Sequence, residues 1–524
     1  MTAQFQQARW NEPLLSEIGT PGERGFIPSA PEAEITARVP DALSGIPASF
    51  QRAEPPRLPE VAQPQLMRHF MRLSQETMGN DVAVDFGLGT CTMKYSPKVN
   101  EHLVRLPEVS GLHPLQHVDT VQGILEILWR LEQMLCAISG LDRFTLQPPS
   151  GSAAVYTNAS IVRAYHRSRG EGEQRNEIIS SIFSHPCDQS GPYSAGYKII
   201  QLYPGPNGYP EVDALKAALS DRTAGIVITN PEDTGIYNPH IKEFTRLVHE
   251  AGGLCVYDQA NANGMMGIAR AKEAGFDLCH FNMHKTFSSP HNGMGPAMGA
   301  SGVREDLARF LPAPVVEKRG DLFELDWNRP ESIGKVRSFV GNAQIAVRSY
   351  SWILALGPDG IREVAETAVL NANYLAALLR EVPGMSQPFP TSNTPLEQFR
   401  WSLEGFKEET GVGSSDISRN LSDYGLQPIF TSHHPYLVPE PITPEPAESF
   451  SKADLDTFGN AFLDIAHRAQ ADPDEVLNGP YRNACRRIDS AALDDPYRWV
   501  PSSRAERTRM CNAAESAPLH NQPS

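Results

Sequence analysis

The sequence predicts an α/β fold with a mostly parallel sheet and a smaller C-terminal α+β domain. Through the middle of the chain, short apolar strands alternate with amphipathic helices, which is typical of a parallel sheet with right-handed crossovers. Several strands end in polar residues, as expected at the carboxyl edge of an open sheet, where ligands bind. Near residue 346 the pattern changes, and this change predicts the second domain.

Composition excludes several classes of partner. The chain has 524 residues, a net charge of −16 and a pI of about 5.4, which argues against nucleic acids and anionic membranes. No signal pattern opens the sequence and no apolar run is long enough to span a bilayer, so we expect no membrane association. The seven cysteines show no paired spacing. They predict reduced thiols, a cytoplasmic location and no metal site.

Four regions follow from composition and pattern. Residues 1–65 are rich in proline, glutamate and alanine and predict an extended arm that is either disordered or wrapped on a partner subunit. Residues 66–345 form the predicted large domain, and residues 346–500 the small one. Residues 501–524 are polar, and we expect a disordered tail there.

Apolar periodicity places the individual elements. The helix Thr120–Ser139 shows apolar residues at i, i+3, i+4 and i+7, and Gly140 is expected to end it. A short strand, a small-residue turn and a helix follow within residues 144–166. The remaining predicted strands are 178–183, 198–202, 225–230, 254–258 and 278–283, and the remaining helices are 212–219, 241–251, 343–356, 361–379 and 452–469.

One buried strand ends in a candidate nucleophile. The apolar run Leu278–Met283 delivers His284, Lys285 and Thr286 at its end. A desolvated lysine is expected to have a lowered pKa, and its neutral amine can then attack a carbonyl. This favours a lysine that binds pyridoxal phosphate (PLP) as a Schiff base. The alternative is a surface lysine whose charged end reaches solvent.

A carboxylate at the end of the preceding strand supports the PLP hypothesis. The strand within GLCVYDQANAN ends at Asp258. PLP enzymes place a carboxylate against the pyridine nitrogen, because a protonated ring withdraws electrons better. The alternative for Asp258 alone is a helix N-cap. Asp258 and Lys285 lie at the ends of successive parallel strands. Together they indicate a PLP site more strongly than either residue alone.

Two further segments have the features of a cofactor site. Ser150, Gly151 and Ser152 precede a helix, whose free N–H groups and dipole favour a phosphate group, although such residues also simply cap helices. His185 follows another strand and is expected to stack on the cofactor ring or to transfer protons. The alternative is a histidine bonded to a loop carbonyl.

Five residues complete the candidate site. Thr229 ends a further strand at the same edge as a candidate cofactor ligand, and Asn230 follows it as a candidate substrate ligand. Lys94 lies in a glycine-punctuated loop, the kind of segment that often carries function. Arg337 and Arg348 are candidates for a substrate carboxylate, since a guanidinium group binds carboxylates through two hydrogen bonds.

With these residues in view, the chain resembles the β-type half of glycine decarboxylase, the PLP-dependent P-protein of the glycine cleavage system. The resemblance runs from about residue 22 to residue 499. The segments that carry it are RLSQETMG, LGTCTMKYSPKVNE, SGLHPLQHVDTVQG, VITNP, HEAGGLCVYDQAN, NMHKTFSSPH, PAPVVEK, GPDGIREVAETAVLNANYL and HHPYLVPEPITPEP.

The resemblance implies a fold-type-I PLP enzyme, with an aspartate aminotransferase-like, PLP-binding large domain. It implies that Lys285 is the Schiff-base lysine, that Asp258 contacts the ring nitrogen and that His185 stacks on the ring. His284 and Thr286 would flank the lysine near the phosphate. It also implies a homodimer or a heteromer with an α-type subunit, an amino-acid substrate and a lipoyl carrier protein.

Four loops depart from the family pattern. Ala153, Ala154 and Val155 stand where the family has His-Gly-Glu, and HPCDQ (185–189) replaces HGTNP. The four-glycine run becomes NGMG (292–295), and NAPHT becomes NGPYR (478–482).

Three functions are compatible with this sequence. The first is a glycine decarboxylase subunit, which generates a Cα carbanion from an amino acid. The second, motivated by the altered loops, is a stand-alone PLP enzyme of specialised metabolism that forms a carbon–carbon bond from another amino acid, for example S-adenosylmethionine. The third is an inactive structural partner, against which the retention of both Lys285 and Asp258 argues.

Overall fold

The structure is a computed structural model. It describes residues 5–54, 56, 58–79, 82–86, 91, 94–290, 297–389, 394–433, 437–484 and 487. Two compact units are present: the described residues within 79–480 form one, and those within 5–78 belong to the other together with residues 481–484 and 487. The predicted tail (501–524) and the NGMG segment lie outside the described residues. The domain boundaries proposed from the sequence therefore remain a prediction.

The larger unit is built on a seven-stranded sheet. The described strands, in chain order, are β1 (Arg143–Thr145), β2 (Glu177–Ser181), β3 (Lys198–Leu202), β4 (Thr223–Thr229), β5 (Leu254–Gln259), β6 (Leu278–Asn282), β7 (Gly299–Val303), β8 (Val315–Arg319), β9 (Leu322–Asp326), β10 (Trp401–Ser402) and β11 (Pro441–Ile442). The sheet order is β1-β7-β6-β5-β4-β2-β3. The pairs from β3 to β6 are parallel, and β7 pairs antiparallel with both β6 and β1.

Helices connect and cover these strands. The described α-helices are α1 (Ala33–Arg38), α2 (Gln63–Gln75), α3 (Lys98–Val104), α4 (Pro107–Ser110), α5 (Gln122–Ser139), α6 (Gly151–Ser168), α7 (Cys187–Ser194), α8 (Val212–Ala218), α9 (Ile241–Glu250), α10 (Ala343–Leu379), α11 (Glu404–Thr410), α12 (Ser414–Leu421), α13 (Lys452–Ala471) and α14 (Pro473–Asn478). No described helix is long and apolar enough to cross a membrane.

Local sequence explains where these elements begin and end. Gly140 takes a left-handed conformation (φ 76°) at the C-terminus of α5, as the sequence predicts, because glycine adopts this conformation at low cost. In α10 the two predicted helices are joined across a kink at Gly357 (φ 65°), followed by Pro358. The other predicted strands and helices are confirmed to within a few residues at each end.

Apolar side chains from both faces of the sheet form two cores. One contains α5 and the first half of α10, and the other packs α6 against the opposite face. A separate cluster belongs to the C-terminal part of this unit and includes the second half of α10 and α13. Because strands β2, β4, β5 and β6 are buried along almost their whole length, their ends are held at fixed positions.

The smaller unit is organised around α2. Glu12 accepts a hydrogen bond from Arg72 (2.7 Å) and lies 2.8 Å from His69 Nδ1. The indole N–H of Trp10 donates to Gln75 (2.8 Å). Much of the remaining arm is extended and leaves large apolar side chains exposed, among them Phe26, Ile27, Ile35, Phe50 and Leu58.

A buried ion pair joins the loop after β4 to the start of β10. Arg400 Nη2 lies 3.1 Å from Asp233 Oδ2, and both side chains are 1% exposed. Arg400 Nε also donates to the Thr443 hydroxyl at 3.1 Å. Removing one member of such a pair leaves a desolvated charge without compensation.

We therefore expect Asp233→Ala to lower the free energy of unfolding by about 3–5 kcal/mol. The exposed pair Lys452–Asp456 (2.6 Å) offers a matched control, since solvent already stabilises both charges. Lys452→Ala should leave the unfolding midpoint in urea almost unchanged. Equal midpoints for Asp233→Ala and the wild type would contradict this prediction.

Candidate active site

The carboxyl ends of neighbouring parallel strands bring the predicted catalytic residues together. Asp258 lies near the end of β5, and Lys285 follows β6 after a short turn. His185 follows β2, which is separated from β5 only by β4. Cys187 Sγ lies 2.9 Å from His185 Nδ1 and within 4.8 Å of an Asp258 carboxyl oxygen, and Asp258 and Lys285 shift each other's pKa. The predicted edge of the sheet is therefore the place where these three side chains meet.

Lys285 is buried in a turn that the end of β6 fixes. Its backbone N–H donates to the Asn282 carbonyl at 3.0 Å, and the Ser288 N–H donates to the Lys285 carbonyl at 3.1 Å. The Lys285 side chain is almost completely buried, at 4% exposure. Lys285 is therefore not a surface lysine whose charged end reaches solvent.

The pKa of Lys285 is raised, whereas the sequence-based expectation was a lowered value. Burial is the largest influence and lowers the pKa, but neighbouring acidic groups, among them Asp258 and Glu445, together raise it by more. The expectation was wrong because it considered desolvation without the acidic groups around the amine. Lys285 therefore carries a proton that has to leave before the amine can attack a carbonyl.

Asp258 remains ionised although it is buried. Its Oδ1 accepts a hydrogen bond from the Ala260 N–H at 2.7 Å and lies 3.2 Å from His280 Nε2. Burial, the largest influence, would raise the pKa of Asp258, but the neighbouring groups, among them Lys285 and the Ala260 N–H, lower it by more. A carboxylate that keeps its charge here can hold a proton on a ring nitrogen.

His280 lies opposite Asp258 in the pairing of β5 with β6 and is an addition to the predicted site. Burial lowers the pKa of His280, so the imidazole is neutral. Within the described part of the chain, neither ring nitrogen has a hydrogen-bond partner in good geometry, despite the 3.2 Å approach to Asp258. The register of the two strands would have identified this residue, but the register is not visible in a single sequence.

His185 is a neutral imidazole held by the first turn of α7. Its Nδ1 accepts a hydrogen bond from the Cys187 N–H at 3.1 Å, and Cys187 Sγ lies 2.9 Å from the same nitrogen. The ring packs edge-on against His433, with 4.7 Å between ring centroids. Burial is the main cause that lowers the pKa of His185 to about 4, and the positive charge of Lys285 adds to it.

The N-terminus of α6 adjoins the same edge. The Ser150 hydroxyl caps the helix by accepting from the Ala153 N–H at 3.2 Å. A Cβ atom at Gly151 would lie 2.4 Å from Asn282 Nδ2, so only glycine allows this close approach to β6. The helix therefore presents N–H groups near the strand ends, where an anion would be stabilised.

Most of the other candidate cofactor and substrate ligands form hydrogen bonds within the protein. The Thr229 hydroxyl donates to Asp188 Oδ2 (3.4 Å), and the Thr286 hydroxyl accepts from the Ala262 N–H (2.9 Å). The Asn230 side chain bonds the backbone of Asn238 through both its oxygen (2.8 Å) and its nitrogen (3.2 Å). His284 is buried. Their roles toward a ligand remain predictions.

The three candidate cations for a substrate carboxylate differ in their surroundings. Lys94 pairs with Glu448 at 2.9 Å, and Arg348 forms a two-pronged pair with Glu101 at 2.6 and 2.9 Å. Arg337 is exposed. A substrate carboxylate would have to compete with an acid at Lys94 and at Arg348.

Sequence reasoning missed a second buried acid in the site. Asp188 stands in the first turn of α7 and is completely buried, next to Thr229 and Asp258. The departure HPCDQ marked this segment, but no spacing rule points from position 188 to position 258. Sequence reasoning also missed Cys187 and His433 as neighbours of His185.

Known proteins resemble the chain over almost its whole length. A protein of Pyrococcus abyssi named probable glycine dehydrogenase (decarboxylating) subunit 2 is 41% identical over 487 residues, which cover 93% of this chain and 95% of the relative. A protein of Alkaliphilus oremlandii with the same name is 40% identical and covers 91% of this chain and 96% of the relative. The family described as glycine dehydrogenase, C-terminal domain, matches residues 364–484.

Solved structures confirm the predicted fold class. A glycine decarboxylase (P-protein) of the glycine cleavage system superposes with a TM-score of 0.68 at 21% identity, covering 84% of this chain and all of that chain. A cysteine desulfurase from Escherichia coli superposes with a TM-score of 0.56 at 16% identity, covering 74% and 95%. The chain therefore has the fold-type-I architecture.

The buried, neutral state of His185 can be tested by NMR with histidine labelled at Cε1. We expect its resonance, identified by its loss in His185→Gln, to stay unchanged from about pH 8 to about pH 5. Because the folded-state pKa lies below the ordinary 6.5, this group lowers stability as the pH falls from 6.5 towards about 4. A titration midpoint near 6.5 in the folded protein would contradict the prediction.

Proposed function

This chain belongs to the glycine dehydrogenase (decarboxylating) subunit 2 family, and we propose that it is a PLP-dependent enzyme that decarboxylates glycine as one part of a two-subunit enzyme. The family membership rests on identities of about 40% over more than nine-tenths of the chain. One structural observation supports the chemistry above all others: Lys285 and Asp258 are both buried, and they lie at the ends of neighbouring parallel strands.

The residues present fit PLP by the chemistry of their donor groups. Lys285 offers an amine for the aldehyde, and Asp258 offers an ionised carboxylate for the ring nitrogen. The N-terminus of α6 at Gly151 and Ser152 offers N–H groups for the phosphate. When bound, PLP withdraws electrons from the Cα atom of an amino acid and so stabilises negative charge there after a carboxylate is lost.

The surrounding residues set the protonation states that this reaction needs. Asp258 keeps its charge because Lys285 and the Ala260 N–H stabilise it, and the charged carboxylate can then hold a proton on the ring nitrogen of PLP. His185 is neutral and can lie against an aromatic ring without introducing a second positive charge beside Lys285. Lys285 holds a proton at Nζ, which makes it a proton donor as well as a covalent anchor.

An α-type partner subunit is consistent with the arm of the smaller unit. Phe26 and Ile27 are 75% and 76% exposed, and Phe50 is 79% exposed. Several exposed apolar side chains in one segment are typical of a surface that a partner covers. We propose that the arm packs on an α-type subunit rather than on a second copy of this chain. A lipoyl carrier and a cytoplasmic location complete the proposal.

The anchoring role of Lys285 can be tested by borohydride reduction of the protein incubated with PLP. We expect a permanent phosphopyridoxyl mass addition on the peptide that contains Lys285, and no addition on this peptide in Lys285→Ala. Lys94→Arg is the matched control, because it keeps a cation opposite Glu448 and should leave the addition at Lys285 intact. Modification of another lysine with Lys285 unmodified would refute the assignment.

The reaction can be tested by exchange of labelled CO2 into the carboxyl group of glycine. We expect exchange only when this chain is combined with its α-type subunit, and stimulation by the lipoyl carrier. Alanine and S-adenosylmethionine are the control substrates, the second because it tests the carbon–carbon bond-forming alternative. No exchange with glycine in the complete mixture would exclude the proposed function, while a spectral response to S-adenosylmethionine alone would favour the alternative.

A further inference from the structure

Asp188 has an unusual position for an acid. It lies in the first turn of α7, its backbone N–H donates to the His185 carbonyl at 2.8 Å, and its side chain is completely buried. Asp188 Oδ2 accepts from the Thr229 hydroxyl at 3.4 Å, and Cys187 Sγ lies 3.9 Å from Oδ1. The turn therefore directs this carboxyl group inward, toward the end of β5.

The nearest acid to Asp188 is Asp258. A carboxyl oxygen of each lies within 4.8 Å of the other, and both side chains are buried, at 0% and 2% exposure. Two carboxyl groups this close can form a hydrogen bond only when one of them supplies the proton. Two negative charges side by side in a buried site are also strongly unfavourable, so one of the pair stays protonated.

The charges around the pair identify the protonated member. Lys285 is positive, and it stabilises a negative charge on Asp258. His185 and His280 face the pair, and both have lowered pKa values, so neither supplies a second positive charge. Asp233, the remaining acid near Asp188, is neutralised by Arg400. Burial first and Asp258 second raise the pKa of Asp188 well above its ordinary value.

We propose that Asp188 is a positioning residue that carries a proton and donates a hydrogen bond to Asp258, which stays the single charged carboxylate of the pair. A protonated acid here acts as an amide would, since it orients Asp258 without adding charge. Unlike an amide, it can lose its proton, and a second negative charge would then stand beside Asp258. The effect on the cofactor rests on the proposed function, whereas the shared proton does not.

The shared proton can be measured by infrared spectroscopy without any cofactor. We expect a carbonyl band of a protonated carboxyl group near pH 7 in the wild type, and its loss in Asp188→Asn. The difference spectrum is needed because Glu232 and Glu397, with pKa values raised by burial to about 8 and about 7, contribute bands of their own. Asp213→Asn, at an exposed site, is the control and should leave the band unchanged. No difference between wild type and Asp188→Asn would overturn the proposal.

The pH dependence of stability gives a second measurement on the same variant. The folded-state pKa of Asp188 lies above the unfolded value. The contribution of Asp188 to the stability of the folded protein is therefore complete at acid pH and is lost as the pH rises. Asp188→Asn lacks this loss. We therefore expect the Tm of Asp188→Asn to exceed that of the wild type by a margin that widens from about pH 5 to about pH 8. A constant margin would contradict a protonated Asp188.

The positioning role is tested by the dissociation constant of PLP, followed by its visible absorbance. Asp188→Asn keeps a donor to Asp258 and should bind PLP within about threefold of the wild type. Asp188→Ala removes it and should bind about tenfold or more weakly, since a hydrogen bond to a charged group is lost. Equal affinities of all three proteins would overturn the positioning role. If no variant binds PLP, the proposed function fails, and the infrared result still decides the shared proton.

Discussion

A buried carboxylate and a buried amine at the ends of adjacent parallel strands form the interaction on which the site depends. Desolvation alone would neutralise both Asp258 and Lys285, yet each shifts the pKa of the other toward the charged form. Each of the two groups therefore helps to keep the other charged in this interior. The pairing of β5 with β6 fixes their separation, because the register of two buried strands cannot slip without exposing apolar side chains.

The neighbouring imidazoles and Asp188 add no further charge beside Asp258 and Lys285. His185 and His280 are held neutral mainly by burial, and Asp188 is surrounded by conditions that keep its proton. Several titratable groups of the site are thus neutral beside the charges of Asp258 and Lys285. Any additional charge would act on Asp258 or Lys285 at short range in a medium of low polarity. Neutral neighbours therefore protect the protonation states on which the proposed chemistry depends.

The sequence allowed much of the fold to be predicted, because the buried strands read as continuous apolar runs and their polar ends mark one edge of the sheet. This logic found Asp258, Lys285, His185 and Thr229. It could not find His280, whose role follows from the strand register. It also gave the wrong direction for the pKa of Lys285, since the acids that reverse the effect of burial come from distant segments, including Glu445.

Long-range polar contacts explain what the C-terminal part of the larger unit adds to the site. Its residues meet the sheet edge through charged or polar groups: Arg400 pairs with Asp233, Glu448 with Lys94, and Glu445 accepts from Asn261 and Asn263. His433 packs on His185 in the same way. The apolar clusters of the two parts are separate, so these polar contacts form much of the junction at the site. Because Glu445 also raises the pKa of Lys285, a shift of the C-terminal residues would change the charge balance at the amine.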